Sequence, residues 1–106
     1  MKTRFFKGEP QTELTANTED AAVEKHVPAV TVEGDTVSVV VGDVEHPMMD
    51  AHYIQFICLE TEEGVQMKML APGEAPKAVF ELGGETPLAV YELCNLHGLW
   101  KKDLTK

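Results

Sequence analysis

Basic residues, cysteines and long apolar runs are all scarce in this chain, and each shortage closes off a class of function. Lysine and arginine total nine against 18 acidic residues, and six of the nine lie at the ends, as Lys2, Arg4, Lys7, Lys101, Lys102 and Lys106. Between residues 8 and 100 only Lys25, Lys68 and Lys77 stand against 17 acids. Such a distribution speaks against nucleic-acid binding, which needs clustered cations to meet phosphate. No apolar run approaches the ~20 residues of a membrane-spanning helix, so no membrane partner is expected. The charged opening is followed by only two apolar residues, Phe5 and Phe6, which is too few for a secretory signal. A cytoplasmic protein is expected, in a compartment where free thiols persist. The two cysteines, Cys58 and Cys94, cannot build a disulfide framework.

What remains is an ordinary apolar share, 43% of 106 residues, enough for one domain with a real core. Residues 1–23 lack periodicity and read as an arm leading into that domain, with a turn of helix possible at Thr18 to Val23. From Ala29 onward the pattern is β. Ala29–Glu33 and Thr36–Val41 are rich in Val and Thr and are split by Gly34-Asp35, a hairpin signal. Further strands are predicted at His52–Glu60, Val65–Leu70, Lys77–Leu82 and Pro87–Leu93, with a short last one through Leu99–Lys102. Strands at a spacing of roughly 8–12 residues with turns between them indicate an all-β, antiparallel sandwich.

All four histidines fall in short clusters. His26 lies in Glu24-Lys25-His26-Val27-Pro28. His46 and His52 bracket one loop, and His97 follows Cys94 by three residues in Cys94-Asn95-Leu96-His97-Gly98. A lone histidine is more often a hydrogen-bonded surface residue than a ligand. Four in three clusters, one beside a cysteine, suggest a metal site, and imidazole with thiolate suits iron, copper or zinc. Two rival readings are a cupredoxin-like electron carrier and a structural zinc domain. The copper reading lacks a methionine after Cys94 and has surplus histidines; the zinc reading has five candidates for four positions. A disulfide between Cys58 and Cys94, on the immunoglobulin pattern, would call for a tryptophan between them, whereas Trp100 follows both. Cys58 reads as a buried thiol inside an apolar strand. Met48 and Met49 read as packing or loop anchors. If the segment before Pro28 is extended, Glu24 and His26 point one way and Lys25 the other.

These three motifs, in this order, resemble those of the superoxide reductases, also called desulfoferrodoxins and neelaredoxins. The resemblance runs from about Asn17 to Leu104. It implies an immunoglobulin-like sandwich of about seven strands over residues 17–106, preceded by an arm at 1–16. It implies one non-haem iron per chain, with His26, His46, His52 and His97 as equatorial ligands and Cys94 as the axial one. Glu24 would be the sixth ligand of the oxidised iron and Lys25 the cation that attracts superoxide, so both count as catalytic. The implied reaction is the one-electron reduction of superoxide to hydrogen peroxide. Rubredoxin or a similar small carrier would be the electron donor, and the protein would be a homodimer or homotetramer. Longer relatives carry a four-cysteine, desulforedoxin-like domain at the N-terminus. Residues 1–16 hold no cysteine, and only Gly8-Glu9-Pro10 is similar to the end of that domain, which points to a one-iron form. His52-Tyr53-Ile54-Gln55-Phe56 also lacks the Glu and Trp that relatives often have after the Ile.

Overall fold

The computed structural model describes residues 23–42 and 44–105, without the side chains of Val23 and Glu24. The expected all-β sandwich is what forms. Seven strands follow one helical turn, α1 (Val23–His26): β1 (Pro28–Glu33), β2 (Thr36–Val41), β3 (Ile54–Thr61), β4 (Val65–Met69), β5 (Lys77–Glu81), β6 (Pro87–Cys94) and β7 (Gly98–Asp103). They make two antiparallel sheets, ordered β1-β2-β5 and β4-β3-β6-β7. Among the described residues no helix is long and apolar enough to cross a membrane. The predicted arm and the helix predicted from Thr18 lie outside the described residues, except for Val23, which opens α1.

Two local features differ from the sequence expectation. Val23–His26 is one helical turn, not an extended segment, so the condition under which Glu24 and His26 would share a face of a strand is not met. The side chain of Glu24 itself is outside the description. Second, β3 begins at Ile54, not His52. His52 instead forms an isolated bridge with Met49, where two backbone hydrogen bonds of 2.9 and 3.0 Å fold the loop back on itself.

Strand pairing follows the turn residues. Glu33 pairs with Thr36 around Gly34-Asp35, and Gly34 takes φ 60°, the left-handed conformation a two-residue hairpin requires at its first central position. The Asp35 carboxylate then accepts the amides of Gly83 and Gly84 at 2.9 and 3.0 Å, which ties this hairpin to the β5–β6 turn. Alternate residues of β2 (Val37, Val39, Val41) and β5 (Ala78, Phe80) are buried and meet Ile57, Leu59 and Val90 of the other sheet in one core. The central strands β3 and β6 are buried on both faces. Cys58, Ala89 and Tyr91 form a second cluster with Phe56 and Leu99, and the Tyr91 hydroxyl donates to Glu60 at 2.9 Å. Cys58 and Cys94 are both free thiols.

Glu92 breaks the pattern. It sits in β6 between Ile57 and Trp100 in the ladder, is fully buried, and neither carboxylate oxygen has a hydrogen-bond partner. Burial pushes its pKa well above the carboxylate range. A group whose folded pKa is raised stabilises the fold below its unfolded pKa and loses that contribution as pH rises through the folded value. Glu92→Gln is therefore expected to match the parent near pH 4.5 and to exceed it by about 1–3 kcal/mol at pH 8. Thermal melts at the two pH values check this, and parallel curves would refute it.

Antiparallel register decides where the site lies. Pro28 pairs with Val41, Ile54 with Cys94, and Cys94 with Gly98. The start of β1, the end of β2, the start of β3, the end of β6 and the start of β7 thus share one end of the sandwich. Every histidine and Cys94 are at or beside those strand ends.

Candidate metal centre

Four imidazoles from three chain segments meet there in a near-square. His26 is 4.7 Å from His46 and 4.9 Å from His97, centroid to centroid, and His52 is 4.6 Å from His46 and 5.0 Å from His97. Each neighbouring pair is close to perpendicular, at 78–87°. His26 and His52, across the diagonal, are 6.4 Å apart and inclined by only 28°. The rings therefore alternate like the blades of a pinwheel.

Their nitrogens point inward. His26 Nε2 lies 3.1 Å from His97 Nδ1 and 3.2 Å from His46 Nε2. The centre of a square with those sides is about 2.2 Å from each corner, close to a metal–imidazole bond length. Cys94 Sγ is 3.6 Å from His46 Nε2 and 3.7 Å from His97 Nδ1, too far to occupy that centre, so it stands to one side of the square. One donor atom each from His26, His52, Cys94 and His97 lie within 4.8 Å of one another.

The protonation states suit a metal. His46 Nδ1 is 2.7 Å from the Pro47 carbonyl; a carbonyl only accepts, so Nδ1 carries the proton and the Nε2 lone pair faces the cluster. Burial, and then the other histidines, bring the His46 pKa down to about 4 despite that hydrogen bond. His52 is lowered by burial first, then by the charges of His97 and Lys25. Its buried Nε2 has no hydrogen-bond partner. Neutral imidazoles with inward lone pairs and an orphaned buried nitrogen are what a bound transition metal would satisfy. Burial raises the Cys94 thiol, while the backbone amides of Leu96 and His97 act in the opposite sense by donating to sulfur; a metal would complete its deprotonation. The donor set therefore fits a borderline or soft metal.

Three of the four histidines are braced by the fold around them. Trp100, fully buried in β7, stacks on His26 at 4.8 Å and 27° and donates its Nε1–H to the His97 carbonyl at 3.2 Å. The His46 amide donates to the Val41 carbonyl at the end of β2, at 2.7 Å. Met48 Sδ accepts the Ile54 amide at 3.3 Å and packs on the core, an anchoring role, whereas Met49 is exposed. Lys25 is exposed, and its charge reaches His52. Cys94 is the last residue of β6. Cys58 belongs to the second cluster, and burial and then Glu60 push its thiol up to about 11. Trp100 belongs to none of the three histidine motifs, although its place three residues after His97 is a usable signal.

The desulfoferrodoxin family model matches residues 18–103. A desulfoferrodoxin of Clostridium acetobutylicum is 46% identical over 96 residues, which cover 91% of this chain and 75% of that protein. The crystal structure of the superoxide reductase from Treponema pallidum is similar with a TM-score of 0.73 and 48% identity, over 79% of this chain and 70% of that one. A superoxide reductase of the one-iron type from Giardia intestinalis gives 0.62 and 33%, over 74% and 95%.

Proposed function

The chain belongs to the desulfoferrodoxin family, and from that premise we propose that it is a superoxide reductase. It converts superoxide, one electron and two protons into hydrogen peroxide. The observation that carries this reading is the square of four imidazoles with one cysteine sulfur beside it. His26, His46, His52, His97 and Cys94 would hold one non-haem iron per chain, with Glu24 as a sixth, oxidation-dependent ligand. Bound there, the iron supplies a one-electron ferrous/ferric couple tuned by the thiolate.

The protein's own residues do the rest. Leu96 and His97 amides stabilise negative charge on Cys94 sulfur. The packing of Trp100 on His26 and its hydrogen bond to His97 hold those rings in place, so little reorganisation accompanies a change of charge. Lys25 offers a local positive field on an acidic body, which draws an anion toward the site, and its ammonium can donate to the incoming oxygen. On this reading residues 17–106 form the catalytic domain, the protein works in the cytoplasm as a dimer or tetramer, and a rubredoxin-like carrier returns the electron. Its role is detoxification under oxidative stress.

Two experiments bear on this. Consumption of superoxide by the reduced iron-loaded protein should yield hydrogen peroxide with no release of dioxygen; stoichiometric dioxygen would make it a dismutase instead. Lys25→Ala should slow the second-order reaction with superoxide by about tenfold or more at low ionic strength, flatten its salt dependence, and leave iron content unchanged. An unaltered rate at low salt would remove Lys25 from the mechanism.

A further inference from the structure

Three of the four histidines have a visible brace: Trp100 for His26 and His97, and the Pro47 and Val41 carbonyls for His46. His52 lies outside any strand, and its Nε2 has no hydrogen-bond partner. Its own backbone groups pair with Met49, and the residue beside the thiol holds the backbone on either side of it. Asn95 Oδ1 accepts the Tyr53 amide at 2.9 Å, and Asn95 Nδ2 donates to the Ala51 carbonyl at 3.1 Å. The Asn95 amide donates to the Tyr53 carbonyl at 3.2 Å. The side-chain amide thus behaves as an extra peptide unit, extending the β3–β6 ladder beyond its last pair, Ile54 with Cys94, and gripping the backbone on both sides of His52.

From this we infer that Asn95 is a positioning residue that sets His52 against the Cys94 sulfur, an inference that rests on the site being a metal centre. Residues 44–53 carry two of the donors, His46 and His52, and Asn95 ties the end of that stretch to the end of β6. The Met49–His52 bridge closes the loop on itself but does not set its place relative to Cys94. The Asn95 grip does, because it starts one residue from that sulfur. A carboxylate in its place would lose the donor and face the Ala51 carbonyl with negative charge. Alanine would lose both side-chain bonds.

The test is anaerobic competition for ferrous iron against a chelator, together with the sulfur-to-iron absorption band of the oxidised protein. Asn95→Ala is expected to bind iron about 10–100-fold more weakly, with a shifted band. Asn95→Asp, the same size and able to accept from Tyr53, should fall between the two and carries the test if the alanine variant folds poorly. The deciding comparison repeats each change in a His52→Ala background. If Asn95 acts through His52, its substitution there costs little further affinity; a full, additive loss in that background would overturn the inference. So would wild-type affinity and band in Asn95→Asp. If the unmutated protein takes up no ferrous iron, the reading of the site as an iron centre fails instead, a result distinct from either.

Discussion

Cys94→Ser is expected to abolish the thiolate-to-iron colour of the oxidised protein and to lower its rate with superoxide by at least about two orders of magnitude, or about 2.7 kcal/mol. The sulfur sits 3.6–3.7 Å from two histidine nitrogens and to one side of the square they help form. A hydroxyl there is nearly isosteric but is not ionised at neutral pH, so the electron-donating lever is lost while the fold stays. Cys94 is buried and uncharged before metal binding, which is why the substitution should leave apo stability little changed. Absorption spectra and stopped-flow kinetics check both parts. Persistence of the colour would assign it to another sulfur. The other cysteine, Cys58, is a poor candidate, fully buried in the separate cluster and with its thiol pushed up to about 11.

Trp100→Ala is expected to be the most destabilising single change, by about 3–5 kcal/mol. The indole is fully buried, and its removal leaves a cavity next to His26. For a domain of this size that is a fall in Tm of some 12 °C or more. Trp100→Phe separates packing from positioning. It keeps a stacking ring but loses the Nε1–H bond to the His97 carbonyl, so it should fold well and bind ferrous iron about tenfold more weakly. Thermal melts and chelator competition measure the two effects. Equal iron affinity in Trp100→Phe and the parent would show that the hydrogen bond does not position His97.

Much of this molecule was legible in its residues, for identifiable reasons. The exposed-to-buried alternation of Thr36–Val41 and Lys77–Glu81 comes from strands with one face in the core and one in solvent. Gly34-Asp35 and Gly83-Gly84 mark turns because their glycines take positive φ. The three histidine motifs stood out by residue type alone. Legibility failed where tertiary contacts decide. The burial of Glu92 carries no signal in the sequence: β6 is buried on both faces, and Glu92 lies on the core side. His52 reads as the start of a strand, but Met49 takes its backbone and the Asn95 side chain takes that of its neighbours Ala51 and Tyr53. Nothing in Glu24-Lys25-His26 announces one helical turn where strand-like residues follow at once. Trp100 and Asn95 owe their roles to rings and backbone that only the fold brings near.

On the function proposed here, this end of the sandwich holds one thiolate-ligated iron that exchanges an electron with superoxide. Metal analysis and the visible spectrum of the oxidised protein, followed through reduction and then a stoichiometric addition of superoxide, test it most directly. One iron per chain is expected, with a sulfur-to-iron band that bleaches on reduction and returns with superoxide as hydrogen peroxide appears. A colourless protein that still fails to take up iron after anaerobic reloading with ferrous ion would contradict it.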